Sequence, residues 1–234
     1  MIKEAIVLAG GMGTRLRSVV ADVPKPMAEV NGRPFLAYLL DELNEQGVET
    51  VVLAVGYKRE VIVDYFGEKY KNISLRYSVE EEALGTGGGI KQACEMLDRN
   101  DALVLNGDTF FGVDVQQLYQ YYQKKDADLV LALKEMRDFD RYGTVQIDEA
   151  GQVTGFEEKA YKSVGMINGG IYLFKKELIT NDLFPQKFSF EKDVLESLFP
   201  QKRFFGLAFD VYFIDIGIPQ DYERSQRELA ARTY

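Results

Sequence analysis

No histidine occurs among the 234 residues of this chain, and there is one cysteine, Cys94. Without histidine there is no imidazole general base and no imidazole metal ligand. A metal would have to be held by oxygen, which points to a hard ion such as Mg²⁺. A single cysteine cannot close an internal disulfide, and its place in an apolar helical pattern marks it as a core residue. No apolar stretch approaches the roughly 20 residues that span a bilayer, so no membrane partner is expected. The start, Met1-Ile2-Lys3-Glu4, lacks the basic-then-apolar pattern of a secretory signal, and the cytoplasm is the expected location. Positive charge is also scarce. With 28 Lys plus Arg against 37 Asp plus Glu, the formal net charge is −9, a balance that argues against nucleic acid as a partner.

What is present is an ordinary globular composition, 46% apolar and 28% charged. The length fits one domain with a large core. Strand-like and helix-like segments alternate, which predicts an α/β fold with a mostly parallel, mixed central sheet flanked by helices. Strands are expected at 5–9, 50–55, 73–77, 102–105, 129–133, 170–174 and 204–209. A hairpin is expected from 144–147 and 153–157. Helices are expected at 34–46, 61–66, 86–97 and 219–231. The chain divides into a nucleotide-binding half, 1–125, and a mixed-sheet half, 126–234.

The first chemical signal is Leu8-Ala9-Gly10-Gly11-Met12-Gly13-Thr14-Arg15-Leu16, directly after a strand. Glycines there let backbone N–H groups approach a phosphate. The Walker pattern needs Gly-Lys-Ser/Thr, which this loop lacks. The dinucleotide pattern fails too, because its third glycine would be Leu16 and the next strand ends without the ribose-binding acid. In Val23-Pro24-Lys25-Pro26-Met27, flanking prolines predict an extended backbone that presents Lys25 to anionic oxygens. Leu105-Asn106-Gly107-Asp108 and Phe213-Ile214-Asp215-Ile216-Gly217 are both apolar runs ending in an aspartate. Such strand ends are where open α/β sheets bind ligands.

The pairing of GGMGTRL with VPKPM resembles the signature of the sugar-nucleotide pyrophosphorylases, enzymes with a Rossmann-like nucleotidyltransferase fold. The resemblance implies that Leu8, Ala9, Gly10, Gly11, Gly13 and Thr14 wrap the nucleotide, with Gly107 beside it. It implies that Arg15 and Lys25 hold the triphosphate, and that Asp108 and Asp215 share Mg²⁺. Glu80-Glu81-Glu82-Ala83-Leu84-Gly85-Thr86 is similar to the family's base and ribose segment, which nominates Glu82, Gly85 and Thr86. Ala83 stands there where proline is common. Phe156-Glu157-Glu158-Lys159 is similar to the motif that assigns Glu158 to sugar hydroxyls and Lys159 to the sugar phosphate, with Ala160 in place of a proline. Tyr142-Gly143 and Asn168-Gly169-Gly170 resemble segments lining the sugar pocket.

The implied substrates are a nucleoside triphosphate and a sugar 1-phosphate. Further segments, among them Lys187-Phe188-Ser189-Phe190-Glu191 and Asp210-Val211-Tyr212-Phe213, resemble the manno-heptose 1-phosphate guanylyltransferases, which implies GTP as the nucleotide. Mannose 1-phosphate guanylyltransferases and N-acetylmuramic acid 1-phosphate uridylyltransferases are the nearest alternatives. A nucleotide-sugar-binding regulatory module without activity is another. A GT-A glycosyltransferase fits less well, because Asp126-Ala127-Asp128 precedes its strand rather than following it. A homo-oligomer is compatible with the sequence. The aromatic residues Phe204, Phe205, Phe209, Tyr212 and Phe213 are expected in the core.

Overall fold

The structure, a computed structural model, describes residues 1–11, 16 and 23–230. The central sheet is ten-stranded, and its parallel part is built from the most apolar runs in the sequence. Strand β1 (Glu4–Leu8) lies between β4 (Thr50–Val55) and β7 (Asp101–Asn106) and is parallel to both. These strands are buried on both faces, as parallel strands under helices must be. Ala5 and Val7 enter one core and Ile6 the other, while Val51 and Leu53 oppose Val52 in the same way. Each wholly buried Ile, Val or Leu is worth about 1.5–3 kcal/mol against exposure.

One face is covered by α1 (Phe35–Glu45), α2 (Arg59–Phe66) and α4 (Val115–Lys125). The opposite face is covered by α3 (Gly85–Cys94), α5 (Glu177–Thr180) and a π-helical turn, Phe190–Glu196. Cys94 is fully buried in α3, as its pattern predicts. Beyond β4, β6 (Ile73–Val79) continues the parallel run, and the short β5 (Lys69–Tyr70) closes that edge. Two short strands, β2 (Glu29–Val30) and β3 (Arg33–Pro34), form a separate hairpin before α1.

The other side of β7 is antiparallel. The long β12 (Lys162–Lys175) pairs with β7 through Ile171–Lys175 and with β9 (Leu129–Phe139) along most of its length. β13 (Phe204–Ala208) extends β9 in parallel. The hairpin of β10 (Thr144–Ile147) and β11 (Val153–Glu157) has the predicted bounds and joins β12 at Thr144 and Ile167. β12 therefore changes neighbour, from β10 to β7, at a bulge between Asn168 and Tyr172. Gly170 sits in that bulge with φ +74°, a backbone conformation costly to any residue with a Cβ. Strand β12 begins eight residues before the predicted start, because its polar first half is fixed by the β9 ladder and not by burial.

A second small sheet pairs β8 (Thr109–Phe111) with β14 (Phe213–Asp215), antiparallel. Helix α6 (Pro219–Glu228) follows, opened by its proline. Phe204, Phe205 and Phe209 are buried, and Tyr212 and Phe213 pack against the core. No described helix is long and apolar enough to cross a membrane.

Candidate active site

Part of the predicted set, Leu8, Lys25, Gly107, Asp108 and Asp215 among them, comes together beyond the carboxyl ends of β1 and β7. The loop after β1 is pinned on both sides. Ala9 N–H donates to the Ala54 carbonyl at 2.8 Å, and Gly107 N–H donates to the Leu8 carbonyl at 3.0 Å. Gly107 has no room for a side chain, since a Cβ would collide with that same carbonyl. Leu8 thus lies beside Gly107, while Gly10 turns toward Gly56 and Glu80, and Asp108 is carried to the Leu8 edge. Gly13, Thr14 and Arg15 lie outside the described residues.

Lys25 is not extended as its prolines suggested. It opens a 3₁₀ turn, Lys25–Met27, with Pro26 taking an early helical position where its missing N–H costs nothing. The turn sends its ammonium into the site. Lys25 Nζ is 2.5 Å from Asp108 Oδ2 and 3.6 Å from Asp215 Oδ1. The two aspartates, 107 positions apart, are neighbours because β14 pairs with β8 so that Asp215 faces Thr109. Ile216 N–H also donates to the Asp108 carbonyl at 3.0 Å. The Lys25 side chain is 10% exposed and that of Asp108 36%, so the cation is shielded while its carboxylate still meets solvent.

Burial pushes the Asp215 carboxyl above the usual range and the Asp108 charge adds to this, while Lys25 and the Gly217 N–H pull it back. Two carboxylates brought together on one cation form a pair suited to a divalent ion. Mg²⁺ is commonly held by one or two carboxylates and completed by substrate phosphates. The donor set fits that use in its chemistry, two carboxylates with oxygen donors only, side by side at one sheet edge.

Tyr142 closes the second side. Its hydroxyl donates to Asp215 Oδ2 at 3.4 Å, and burial together with the Asp215 charge pushes its pKa up. Gly143 lies against the Glu157 carbonyl, where an added Cβ would come within 2.5 Å. The β10–β11 hairpin makes that contact, pairing Thr144 with Glu157. Glu157 itself is occupied by Thr144, Gln146 and Lys162. The next two residues, Glu158 and Lys159, are exposed past the end of β11. Asn168, Gly169 and Gly170 form the β12 bulge, close to the β7 end. A Cβ on Gly170 would lie 2.7 Å from Asn106 Nδ2, and one on Gly169 would lie 2.5 Å from the Phe111 ring. Asn168 donates to the Tyr172 hydroxyl at 2.9 Å and accepts from Gly170 N–H at 3.0 Å.

The acidic segment is arranged differently from its motif. Glu82 is exposed, and Thr86 gives its hydroxyl to Glu191 at 2.6 Å while accepting from Phe190 N–H. Gly85 lies against the Phe188 carbonyl. It is Glu80, which the motif did not single out, that reaches in against Gly10 after β1. Glu80 Oε2 accepts from Leu84 N–H at 3.1 Å, and Oε1 carries no hydrogen bond among the described residues. Oε1 lies 3.2 Å from where a Gly10 Cβ would stand and 2.7 Å from a Gly89 Cβ. Burial raises the Glu80 pKa, and the Leu84 N–H opposes the rise. The sequence signal was available: Glu80 immediately follows a strand, at its carboxyl end.

The nucleotidyl transferase family model matches residues 4–232. The D-glycero-alpha-D-manno-heptose 1-phosphate guanylyltransferase of Aneurinibacillus thermoaerophilus is 50% identical over 97% of this chain and 98% of its own. The enzyme of the same name from Campylobacter jejuni is 48% identical over 94% and 96%. Among solved structures, HddC from Yersinia pseudotuberculosis complexed with GMP-PN is 38% identical and superposes with a TM-score of 0.86, over 96% of this chain and 98% of that one.

Proposed function

The chain belongs to the nucleotidyl transferase family, and on that premise we propose that it transfers GMP from GTP to D-glycero-α-D-manno-heptose 1-phosphate, giving GDP-heptose and pyrophosphate. The observation that carries the chemistry is the meeting of Lys25, Asp108 and Asp215 at the β1–β7 edge. The sugar assignment is supported by two heptose 1-phosphate guanylyltransferases, each about half identical over nearly its full length.

A phosphate oxygen of the sugar 1-phosphate attacks the α-phosphorus of GTP in line. The bond from that phosphorus to the bridging oxygen breaks, and pyrophosphate leaves. The attacking oxygen is already ionised at neutral pH, so no protein base is needed, which suits a chain without histidine. Positioning and charge neutralisation remain as the catalytic tasks. Lys25 and Arg15 are assigned to the triphosphate and Lys159 to the sugar phosphate, with Glu158 and Asn168 reading sugar hydroxyls. Asp108 and Asp215 would hold Mg²⁺, which when bound neutralises charge on the reacting phosphates. Glu80 supports the choice of guanine. Its Oε1, which carries no hydrogen bond among the described residues, can as a carboxylate oxygen only accept hydrogen bonds, and the Watson–Crick edge of guanine offers donors at both N1 and N2, where uracil offers one.

The test is pyrophosphate release with Mg²⁺ across GTP, UTP, CTP, ATP and dTTP. Each is paired with manno-heptose 1-phosphate, mannose 1-phosphate or N-acetylmuramic acid 1-phosphate. Release should be strongest with GTP and the heptose. Turnover with UTP but not GTP would overturn the assignment, and no release with any pair would move the weight to a regulatory role.

A further inference from the structure

Asp215 is approached by two cations. Lys25 belongs to the site already described. The second is Arg141, which no motif assigned. Its guanidinium lies over the Tyr142 ring, 5.3 Å from the centroid, and one amino group is 3.3 Å from the Tyr142 hydroxyl. That hydroxyl is in turn 3.4 Å from Asp215 Oδ2. The Arg141 charge is felt at Asp215, where it favours the ionised carboxylate. A guanidinium free to swing by one hydroxyl's width would form a direct ion pair with Asp215. It would then compete with any divalent cation for the carboxylate.

What prevents this is Asp221, in the first turn of α6. Arg141 Nη1 is 2.5 Å from Asp221 Oδ2, and the Asp221 side chain is only 11% exposed. Arg224 binds the other oxygen of Asp221 at 3.2 Å, so the carboxylate is fixed from both sides. A charge-assisted pair of this kind, with its carboxylate shielded from water, is directional. We propose that Asp221 is a positioning residue that holds Arg141 away from Asp215, keeping that carboxylate open to a divalent cation while leaving the Tyr142 hydroxyl on it. The inference rests on Asp108 and Asp215 being a cation pair.

The predicted behaviour is a rescue, which a purely structural role would not show. Binding of Mn²⁺ alone is read by the loss of the free-ion EPR signal, and the Mg²⁺ concentration giving half-maximal pyrophosphate release is measured in parallel. Asp221→Asn, nearly isosteric, should weaken Mn²⁺ binding and raise the half-saturating Mg²⁺ about tenfold or more. Arg141→Gln alone should bind Mn²⁺ at least as well as the unaltered protein. The double variant Asp221→Asn/Arg141→Gln should recover most of the lost affinity. Unchanged metal binding in Asp221→Asn overturns the proposal. So does a double variant as weak as Asp221→Asn, or weak binding in Arg141→Gln alone. Asp108→Asn serves as the control: if the unaltered protein binds Mn²⁺ no better than Asp108→Asn, it is the cation pair itself that fails.

Discussion

The two sides of β7 reach the same site by different routes. On the β1–β4 side, parallel strands end together, and the loops that follow them are contiguous motifs. There each stretch of sequence carries its own chemistry: a glycine loop, a lysine between prolines, an aspartate after a glycine. On the β12 side nothing local suffices. Asn168 to Gly170 take their place because β12 changes partners at a bulge, and Asp215 does so because β14 pairs with β8. On the proposed assignment, the nucleotide side draws on loop motifs, and the sugar side draws on strand register at Asn168 to Gly170 and Asp215. The cation pair is the one feature that draws on both.

That view predicts where damage is shared and where it is confined. Asp108→Asn and Asp215→Asn should each lower turnover by on the order of 10²-fold or more at saturating substrates, as for loss of a preorganised charged group. Equal losses would fit one shared site. Near-normal turnover in either, at saturating Mg²⁺, would separate the two sides. Lys159→Ala should be confined to one side, raising KM for the sugar 1-phosphate about tenfold while leaving KM for GTP unchanged. Steady-state kinetics in both substrates decide this.

The smallest effect lies remote from the chemistry. Asp41 in α1 is fully buried, held by Arg33, Lys71 and Tyr70. Burial alone would raise its pKa, but these partners prevail and hold it below the usual range. Burial and the Asp41 charge push the Tyr70 hydroxyl up to about 12. Because the folded pKa of Asp41 is depressed, its stabilisation is complete above the unfolded value of about 4 and fades as pH falls through the folded value. The Tm advantage over Asp41→Asn should therefore shrink as pH drops below about 4, with kcat at neutral pH little changed. A constant advantage down to pH 3 would contradict the linkage.

The same contrast explains what the sequence made legible. Strand β4 and the β10–β11 hairpin follow their apolar patterns to the residue. The aspartates just past β7 and at the end of β14 were readable because each closes an apolar run. Helix α4 went unread because its surface is rich in Gln, Tyr and Lys. Its signals were the Asp114 cap, which accepts from Gln116 and Gln117 N–H, and the spacing of Val115, Leu118 and Tyr122. The polar first half of β12 and the π-helical turn at Phe190 have no local pattern, and tertiary pairing makes them. Among Glu80, Glu81 and Glu82 the motif pointed to the last. Which of three consecutive acids turns inward is set by where β6 ends.

The division of labour between the two sides is tested most directly by Glu80→Gln, with initial rates measured for GTP and UTP against both heptose and mannose 1-phosphates. Loss of the inward carboxylate should reduce the GTP-over-UTP ratio of kcat/KM by about tenfold or more and leave the heptose-over-mannose ratio where it was. An unchanged base preference, or a shift in both ratios together, would contradict it.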